Sequence, residues 1–419
     1  MTRIRRDHPG VDGRARTTVP AEGHRSRPNA VEFILAYVVA AVVAVAWVGW
    51  RLRNRGVPID FAVYRTGGLH VVQGIDLYVR QSANLAITGF GRSYVLLSTF
   101  SYPPFSALTF VPLAAVPAWV GALVWELGSL AALLALVGIS FRPLLDHSRH
   151  RWLLWGAIAA VAIITTPVTD TLFFGQINLF ILLLVVADWT RAGRWRGVGS
   201  GVAAATKLTP LLFIVLFLVT KQWRAAIRAA GAFSAATALA WIALPSTSWS
   251  YWTNPSAALR RVGGIDTYAN QSLHGMFSIL HLPMWGLPIA VVGVTAAGMV
   301  AARRRYIAGD ALASVCCIGL LTLLISPVSW VHHGVWIVPI TGVLLGEGRT
   351  ALRVCTVAFM TVFFALRFPS FGAALLSRGG SSLVAHLLEI AFVLAYLVLL
   401  ALVGWLDLRT CQDDVTVVT

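Results

Sequence analysis

The chain has 419 residues, of which 58% are hydrophobic and only 12% charged, with a mean hydropathy of +0.76. That balance excludes a soluble domain of this length and a polar disordered chain, and it predicts an all-α polytopic membrane protein. The formal charge of +16 does not predict a nucleic-acid partner. The basic residues sit at the ends of apolar runs and in the N-terminal region with no interleaved aromatic platform, the pattern of positive charge kept on the cytoplasmic side of a membrane.

Residues 1–30 are rich in Arg, Pro and Gly and predict a disordered basic cytoplasmic tail. The first apolar run, Val31 to Trp50, is about 20 residues long and no small-residue cleavage site follows it, so it suits a membrane anchor better than a cleaved signal. Arg51 to Ser101 is too polar to span and forms a first outer loop. Further apolar runs lie near 102–116, 118–140, 152–168, 171–187, 198–220, 229–245, 285–302, 308–325, 334–347, 350–366 and 383–405, each bounded by charge or by Pro and Gly. About twelve transmembrane helices follow, in one transmembrane unit over 31–406, with a second outer loop over 245–281 and a cytoplasmic tail over 407–419.

Orientation follows from Lys and Arg. From 198 onward, Lys221 to Arg228, Arg303 to Arg305, Arg349 to Arg353 and Arg409 all fall on one side if the spans alternate, and that side is the cytoplasm. Before 198 the same alternation puts Arg142 to Arg151 and Arg191 to Arg196 outside, against the rule. Lys207-Leu208-Thr209-Pro210 offers one way out, since a charge and a proline inside an apolar run can mark two half-helices that turn back; a single tilted span is the other reading. Cys316, Cys317, Cys355 and Cys411 have no CxxC spacing and predict neither a disulfide nor a zinc site.

The polar residues that carry chemistry gather at the outer side. The first loop opens with Asp60, Tyr64 and Arg65, and the second holds Trp249, Tyr251, Trp252, Arg260, Arg261, Asp266, Asn270, Gln271 and His274. Aromatic rings beside amides, guanidinium groups and carboxylates suit a carbohydrate, whose faces stack while its hydroxyls need hydrogen-bond partners; an interfacial aromatic belt has the same composition. Asp76, in Gly-Ile-Asp-Leu-Tyr, reads as a turn residue. Asp170 faces either the same cavity or a turn on the other side.

Taken in order, DFAVYRTGGLHVVQGIDLY, YPPFSALTFVPLA, GQINLFILLLVVADW, GVGSGVAAATKLTPLLF, NQSLHGMF and SPVSWVHHGVW resemble the actinobacterial polyprenyl-phosphate-mannose-dependent mannosyltransferases. These are integral membrane enzymes of the GT-C superfamily, glycosyltransferase family 87. The resemblance runs from about Asp60 to Trp336 and within the family looks most like the α-1,2-mannosyltransferases of phosphatidylinositol mannoside synthesis. It implies a GT-C fold with an active site on the outer face of the plasma membrane, a polyprenyl-phosphate-mannose donor, a phosphatidylinositol mannoside acceptor, no cofactor, and inversion from a β-linked donor to an α-linked product.

The resemblance also places the base at Asp60, and the chemistry agrees. A polyprenyl phosphate leaves as a stable anion, so transfer needs one base for the acceptor hydroxyl and cationic or hydrogen-bonding groups for the phosphate. Capping a helix or pairing with Arg65 is the plainer reading of Asp60. His332 and His333 end an apolar run; successive helical residues face about 100° apart, so one of them points into a given cavity. His332 is the expected second catalytic residue, with His333 and Trp330 in the substrate-binding set. Tyr64, Arg65, Gln176, Asn178, Lys207, Arg260, Arg261, Asn270, Gln271 and His274 complete that set. Lys207 can meet phosphate or hold a helix break, and Gln176 and Asn178 can bind sugar or pack a neighbouring helix. No metal is expected, because His-His lacks i, i+4 spacing and no DxD accompanies it. Mannan-branching α-1,2-mannosyltransferases and arabinofuranosyltransferases share this pattern. A lipid-linked sugar transporter also has many spans, but it calls for paired repeats and a midplane site, and no repeat is evident.

Overall fold

The structure is a computed structural model that describes residues 57–78, 83–86, 93–96, 100–254 and 264–405. The first apolar run and both tails lie outside the described residues, as do Arg260 and Arg261. The described chain is mostly helical. Helices α1 (Ile59–Gln73), α2 (Pro104–Ala114), α3 (Ala118–Ser140), α4 (Arg142–His147), α5 (Arg151–Ile163), α6 (Thr166–Phe174) and α7 (Asn178–Thr190) fill its first half. They are followed by α8 (Val198–Thr206), α9 (Leu211–Val219), α10 (Trp223–Ala243), α11 (Pro245–Thr253), α12 (Leu273–Ile279), α13 (Gly286–Ile307) and α14 (Ala311–Ile325). A 3₁₀ turn, Val331–Trp336, leads into α15 (Ile337–Leu345), and α16 (Ala351–Ala365), α17 (Phe368–Ser377), α18 (Ser382–Glu389) and α19 (Ala391–Trp405) close the fold.

The all-α expectation needs one correction. The first loop carries an antiparallel hairpin, β1 (Ala83–Ala86) with β2 (Ser93–Leu96), in the register Ala83 to Leu96 and Ala86 to Ser93. Residues such as Tyr94 and Val95 suit a strand, and a polar loop too short for another helix pair satisfies its backbone by folding on itself.

Among the described residues three helices, Ala118–Ser140, Trp223–Ala243 and Gly286–Ile307, are long and apolar enough to cross a membrane alone. Three bent pairs raise that to six: Arg151–Ile164 with Thr166–Phe174 at 79°, Ala351–Ala365 with Phe368–Ser377 at 41°, and Ser382–Glu389 with Ala391–Trp405 at 52°. Two apolar runs that read as single spans, 152–168 and 383–405, are therefore broken. Pro167 at the start of α6 and Pro369 at the start of α17 mark two of the breaks, because proline at the first helical turn lacks only an N–H that would be orphaned anyway.

The break at Lys207 resolves the orientation conflict. Asp188, near the end of α7, accepts hydrogen bonds from the Gly197 and Ser200 backbone N–H groups at the start of α8 (2.8 and 3.0 Å), while Lys207, just past the end of α8, reaches Asn178 at the start of α7. These helices are antiparallel. Gly197 and Gly201 of the α8 segment lie against the carbonyls of Ala225 and Ala229 at one constant offset, so α8 and α10 run parallel, with α9 returning between them. The 198–220 run thus turns back on itself, and the run at 102–116 holds only the 11-residue α2. Arg191–Arg196 consequently shares an end of the molecule with Arg228, whose guanidinium donates to the Arg194 carbonyl. Ser140, next to Arg142, packs on Gly342 of α15, and Leu144 packs on Gly348, so the 142–151 and 347–353 segments belong to one end as well. At the opposite end lie Asp60, Gly175, Lys207, Asn270 and the 3₁₀ turn.

The core between the ends is built from α14 and its neighbours. Cys316, Cys317, Ile318, Leu320 and Leu321 are fully buried there, and Trp189 stacks on Phe217 at 4.0 Å and 9°.

Candidate active site

Four segments meet around Asp60. The first is the start of α1, where Pro58 fixes the helix entry and Asp60 sits in the first turn, a position favourable to a negative charge. The second is the corner between α6 and α7. Gly175 has φ +70°, and a Cβ there would lie 2.7 Å from the Pro58 Cβ and 3.0 Å from the Phe61 Cβ. Only glycine combines that left-handed conformation with so close an approach, and its consequence is that Gln176 is brought against α1. The third is the α8–α9 reversal that carries Lys207. The fourth is the 3₁₀ turn with His332 and His333.

Asp60 is half-buried and accepts a side-chain hydrogen bond from Gln176. The amide is oriented by its other end: Gln176 Oε1 accepts from the Tyr64 hydroxyl at 2.9 Å and from the Tyr102 hydroxyl at 3.5 Å, leaving the NH₂ for the carboxylate. Tyr64 also receives the Ile177 N–H at 3.4 Å and stacks on Phe110 at 4.7 Å. Burial pushes the Asp60 carboxyl up to about 6, with the Gln176 hydrogen bond and the Lys207 charge pulling the other way. A carboxylate held there is well matched to taking a proton near neutral pH.

The cationic side is a second network. Lys207 Nζ donates to Asn178 Oδ1 at 3.0 Å, contacts His333 Nε2 at 3.1 Å, and lies 5.8 Å from the centre of the Tyr102 ring. Since the ammonium has only donors, the His333 nitrogen facing it is the acceptor, and the ring is neutral there. Asn178 Nδ2 and Thr171 Oγ1 both donate to the His332 carbonyl, at 2.9 and 2.8 Å, and pin the 3₁₀ turn in place. Lys207, Asn178 and His333 line a cavity of about 40 Å³ together with Thr209, Ser326 and Ser329.

The turn is held from behind by the second loop. Asn270 and Trp330 form an isolated antiparallel bridge, Gln271 N–H donates to the Ser329 carbonyl at 2.6 Å, and Val331 N–H to the Ala269 carbonyl at 3.1 Å.

These positions redistribute the roles expected from the sequence. Asp60, Gln176, Asn178, Lys207 and His333 are brought together. His332 is not the histidine that faces the cluster: its ring is buried edge-on against Phe174 at 5.6 Å with Nε2 unpaired, while His333 faces Lys207. A 3₁₀ turn places successive residues about 120° apart, so pinning the His332 carbonyl inward leaves the next ring to reach the lysine. Tyr64 is fully buried and orients Gln176 rather than meeting a substrate. Arg65 donates to the Val116 carbonyl at 3.1 Å and pairs with no carboxylate among the described residues, which removes the ion-pair reading of Asp60.

Asn270 spends both amide hydrogens on the Ile265 and Pro327 carbonyls, and Gln271 spends both on the Tyr268 and Glu389 carbonyls. Both are scaffold residues, not free donors for sugar hydroxyls. Trp330 takes part through its backbone bridge, and His274 faces Asp266 at 4.0 Å. Asp170 is held by Arg367 at 2.6 Å, and Asp76 caps its own turn through the Tyr78 N–H. The residue not anticipated is Tyr102, whose hydroxyl lies 3.0 Å from that of Tyr64. Its one sequence signal is a tyrosine immediately before two prolines at the start of an apolar run.

Residues 100–327 match the model of Glycosyltransferase family 87. Asp60, His332 and His333 lie outside that match, so their roles rest on the geometry above. A polyprenol-phosphate-mannose-dependent alpha-(1-2)-phosphatidylinositol pentamannoside mannosyltransferase of Mycolicibacterium smegmatis is 31% identical over 328 residues, 75% of this chain and 76% of that one. A polyprenol-phosphate-mannose-dependent alpha-(1-2)-phosphatidylinositol mannoside mannosyltransferase of Mycobacterium tuberculosis is 32% identical over 71% of this chain and 73% of its own. An alpha-(1->3)-arabinofuranosyltransferase of Corynebacterium glutamicum is 30% identical over 141 residues, 32% of each chain. No solved structure matches. The family match over more than half of the chain, with relatives above 30% identity across three quarters of their own length, establishes that this membrane-type helical protein belongs to glycosyltransferase family 87.

Proposed function

We propose that the protein transfers mannose from polyprenyl-phosphate-mannose to a phosphatidylinositol mannoside, forming an α-1,2 linkage with inversion. The observation that carries the reading is the single oriented carboxylate, Asp60, facing a lysine and a neutral histidine across one site. In the proposed step the acceptor hydroxyl gives its proton to Asp60 as its oxygen bonds to the mannose C1. The C1–O bond to phosphate breaks, and polyprenyl phosphate leaves with the electron pair. Gln176 holds the carboxylate in aim, and Lys207, kept in place by Asn178 and His333, meets the charge that develops on the leaving phosphate. Trp330 and His274 sit where the second loop packs on the turn, and Arg260 and Arg261 are proposed to meet the acceptor.

Donor and acceptor are taken from the names of the relatives, the acceptor's length excepted. We place the arginine-rich end in the cytoplasm and the Asp60 end on the outer face of the plasma membrane, by the bias of basic residues. The proposed step uses no metal or cofactor: the Lys207 ammonium, held by Asn178 and His333, supplies the positive charge that meets the phosphate.

Purified protein incubated with labelled polyprenyl-phosphate-mannose and a panel of phosphatidylinositol mannosides, followed by linkage analysis, tests the reading. An α-1,2-mannosylated product, formed equally in the presence of a chelator, is expected. Transfer of mannose to none of the acceptors, or loss of activity in chelator with rescue by magnesium or manganese, would overturn it.

A further inference from the structure

At the end of the molecule opposite Asp60, a cavity of about 750 Å³ opens between α3, α7 and the 191–199 segment. Its walls have two characters. Ala135, Gly138, Ile139, Leu184 and Ala187 make an apolar strip along α3 and α7, and Arg191 and Arg196 stand at its mouth. The one acid in the wall, Asp188, forms no ion pair with either among the described residues; its oxygens accept from the Gly197 N–H, the Ser200 N–H and the Ser200 hydroxyl, at 2.8, 3.0 and 2.7 Å.

None of Arg191, Arg194 and Arg196 forms an ion pair among the described residues. Arg196 lies over the Trp189 ring at 5.4 Å, and its Nε and Nη2 are shielded from solvent with no hydrogen-bond acceptor. Unanswered guanidinium N–H groups out of water are costly. Trp195 beside them is 67% exposed, an indole where an aromatic ring would meet lipid headgroups.

We infer that this cavity is a binding site for an anionic phospholipid, with the phosphate on Arg191 and Arg196 and the upper acyl chain along the Ala135–Ile139 and Leu184–Ala187 strip. A basic pocket between membrane helices is suited to such a headgroup, and a guanidinium can grip phosphate with two parallel hydrogen bonds. Occupation turns the Arg196 fork from above Trp189 into the cavity, which supplies the acceptors its N–H groups lack. The strip opens outward at Leu184, which is 38% exposed, and a free anion at the arginines would leave the greater part of the cavity empty. The site is separate from the Asp60 cluster and does not depend on which sugar is transferred.

The full chain, purified in neutral detergent, would be analysed by native mass spectrometry with equimolar phosphatidylglycerol and phosphatidylcholine. Preferential retention of phosphatidylglycerol is expected. Arg196→Gln should reduce that preference by about fivefold, the weight of one basic residue against an anionic headgroup. Leu184→Trp, at an exposed position of the cavity wall, fills the strip without altering charge and should lower retention too, which keeps the test decisive should Arg196→Gln fail to fold. Arg194→Gln, outside the cavity lining, should change little. Equal retention by wild type and both cavity variants would overturn the inference. So would displacement of the lipid by millimolar inorganic phosphate, which would make the site one for a free anion.

Discussion

Asp60 carries the sharpest consequences at the scale of single residues. The Asn side chain is nearly isosteric but cannot take a proton, so Asp60→Asn should keep donor binding and lose turnover by about 10²-fold or more, the usual worth of a general base. Retention of half the wild-type rate would show that the base is elsewhere. Because burial raises the carboxyl to about 6, and only the ionised form accepts a proton, the rate should rise with pH through that value and fall away below it. A flat profile from about pH 5 to about pH 7 would contradict the assignment. The histidines separate in a second test. His333→Ala removes one of the two acceptors of the Lys207 ammonium, leaving Asn178, and should cut turnover well beyond His332→Ala, whose anchoring carbonyl is backbone and survives the change. The opposite order, with both variants folded, would put the His332 ring at the reaction. Asp60 was legible in the sequence as a lone carboxylate at the mouth of the first run. The choice between the histidines was not, because it depends on a 3₁₀ turn whose register is set by Thr171 and Asn178, more than 150 positions away.

Among the elements, the corner at Gly175 converts local backbone conformation into site geometry. A side chain there meets Pro58 and Phe61 and also needs the left-handed region. Gly175→Ala should therefore cost stability by more than the roughly 1 kcal/mol of the conformation alone, and it should shift Gln176 relative to Asp60. Displacements of about 1 Å at a reacting group can cost 10²-fold in rate. Gly379 is the control, since it has φ +74° with open space around it. Gly379→Ala should lower the thermal midpoint modestly and leave turnover alone. Equal turnover in the two variants would mean that the corner does not position the base. The scaffold pair Asn270 and Gln271 makes a related point about legibility. Amides in an outer loop look like sugar ligands in a sequence, yet both amides face backbone carbonyls at 2.6 to 3.0 Å. Which acceptor a polar side chain finds is decided by tertiary packing, and no local pattern encodes it.

For the whole molecule, the apolar runs were legible and their parity was not. Hydropathy finds stretches that leave water, but a nine-residue helix that reverses and a span that continues have the same composition. Counting 102–116 as a crossing and 198–220 as one crossing rather than two inverted the expected side of every basic segment between them. The contacts from Arg228 to Arg194 and from Asp188 to the start of α8 correct this. The corrected arrangement puts Arg142–Arg151, Arg191–Arg196 and Lys221–Arg228 at one end, with Asp60 at the other. Single cysteines in a background lacking Cys355 and Cys411 would test it with an impermeant thiol reagent. Asp266→Cys, in the loop bridged to the 3₁₀ turn, should react in intact cells, since Asp266 is 67% exposed. Arg149→Cys and Arg194→Cys should react only after the membrane is opened. Strict alternation of the sequence runs demands the reverse for both arginine positions, so labelling of Arg194→Cys in intact cells would sink the shared arginine end and the outward-facing site with it.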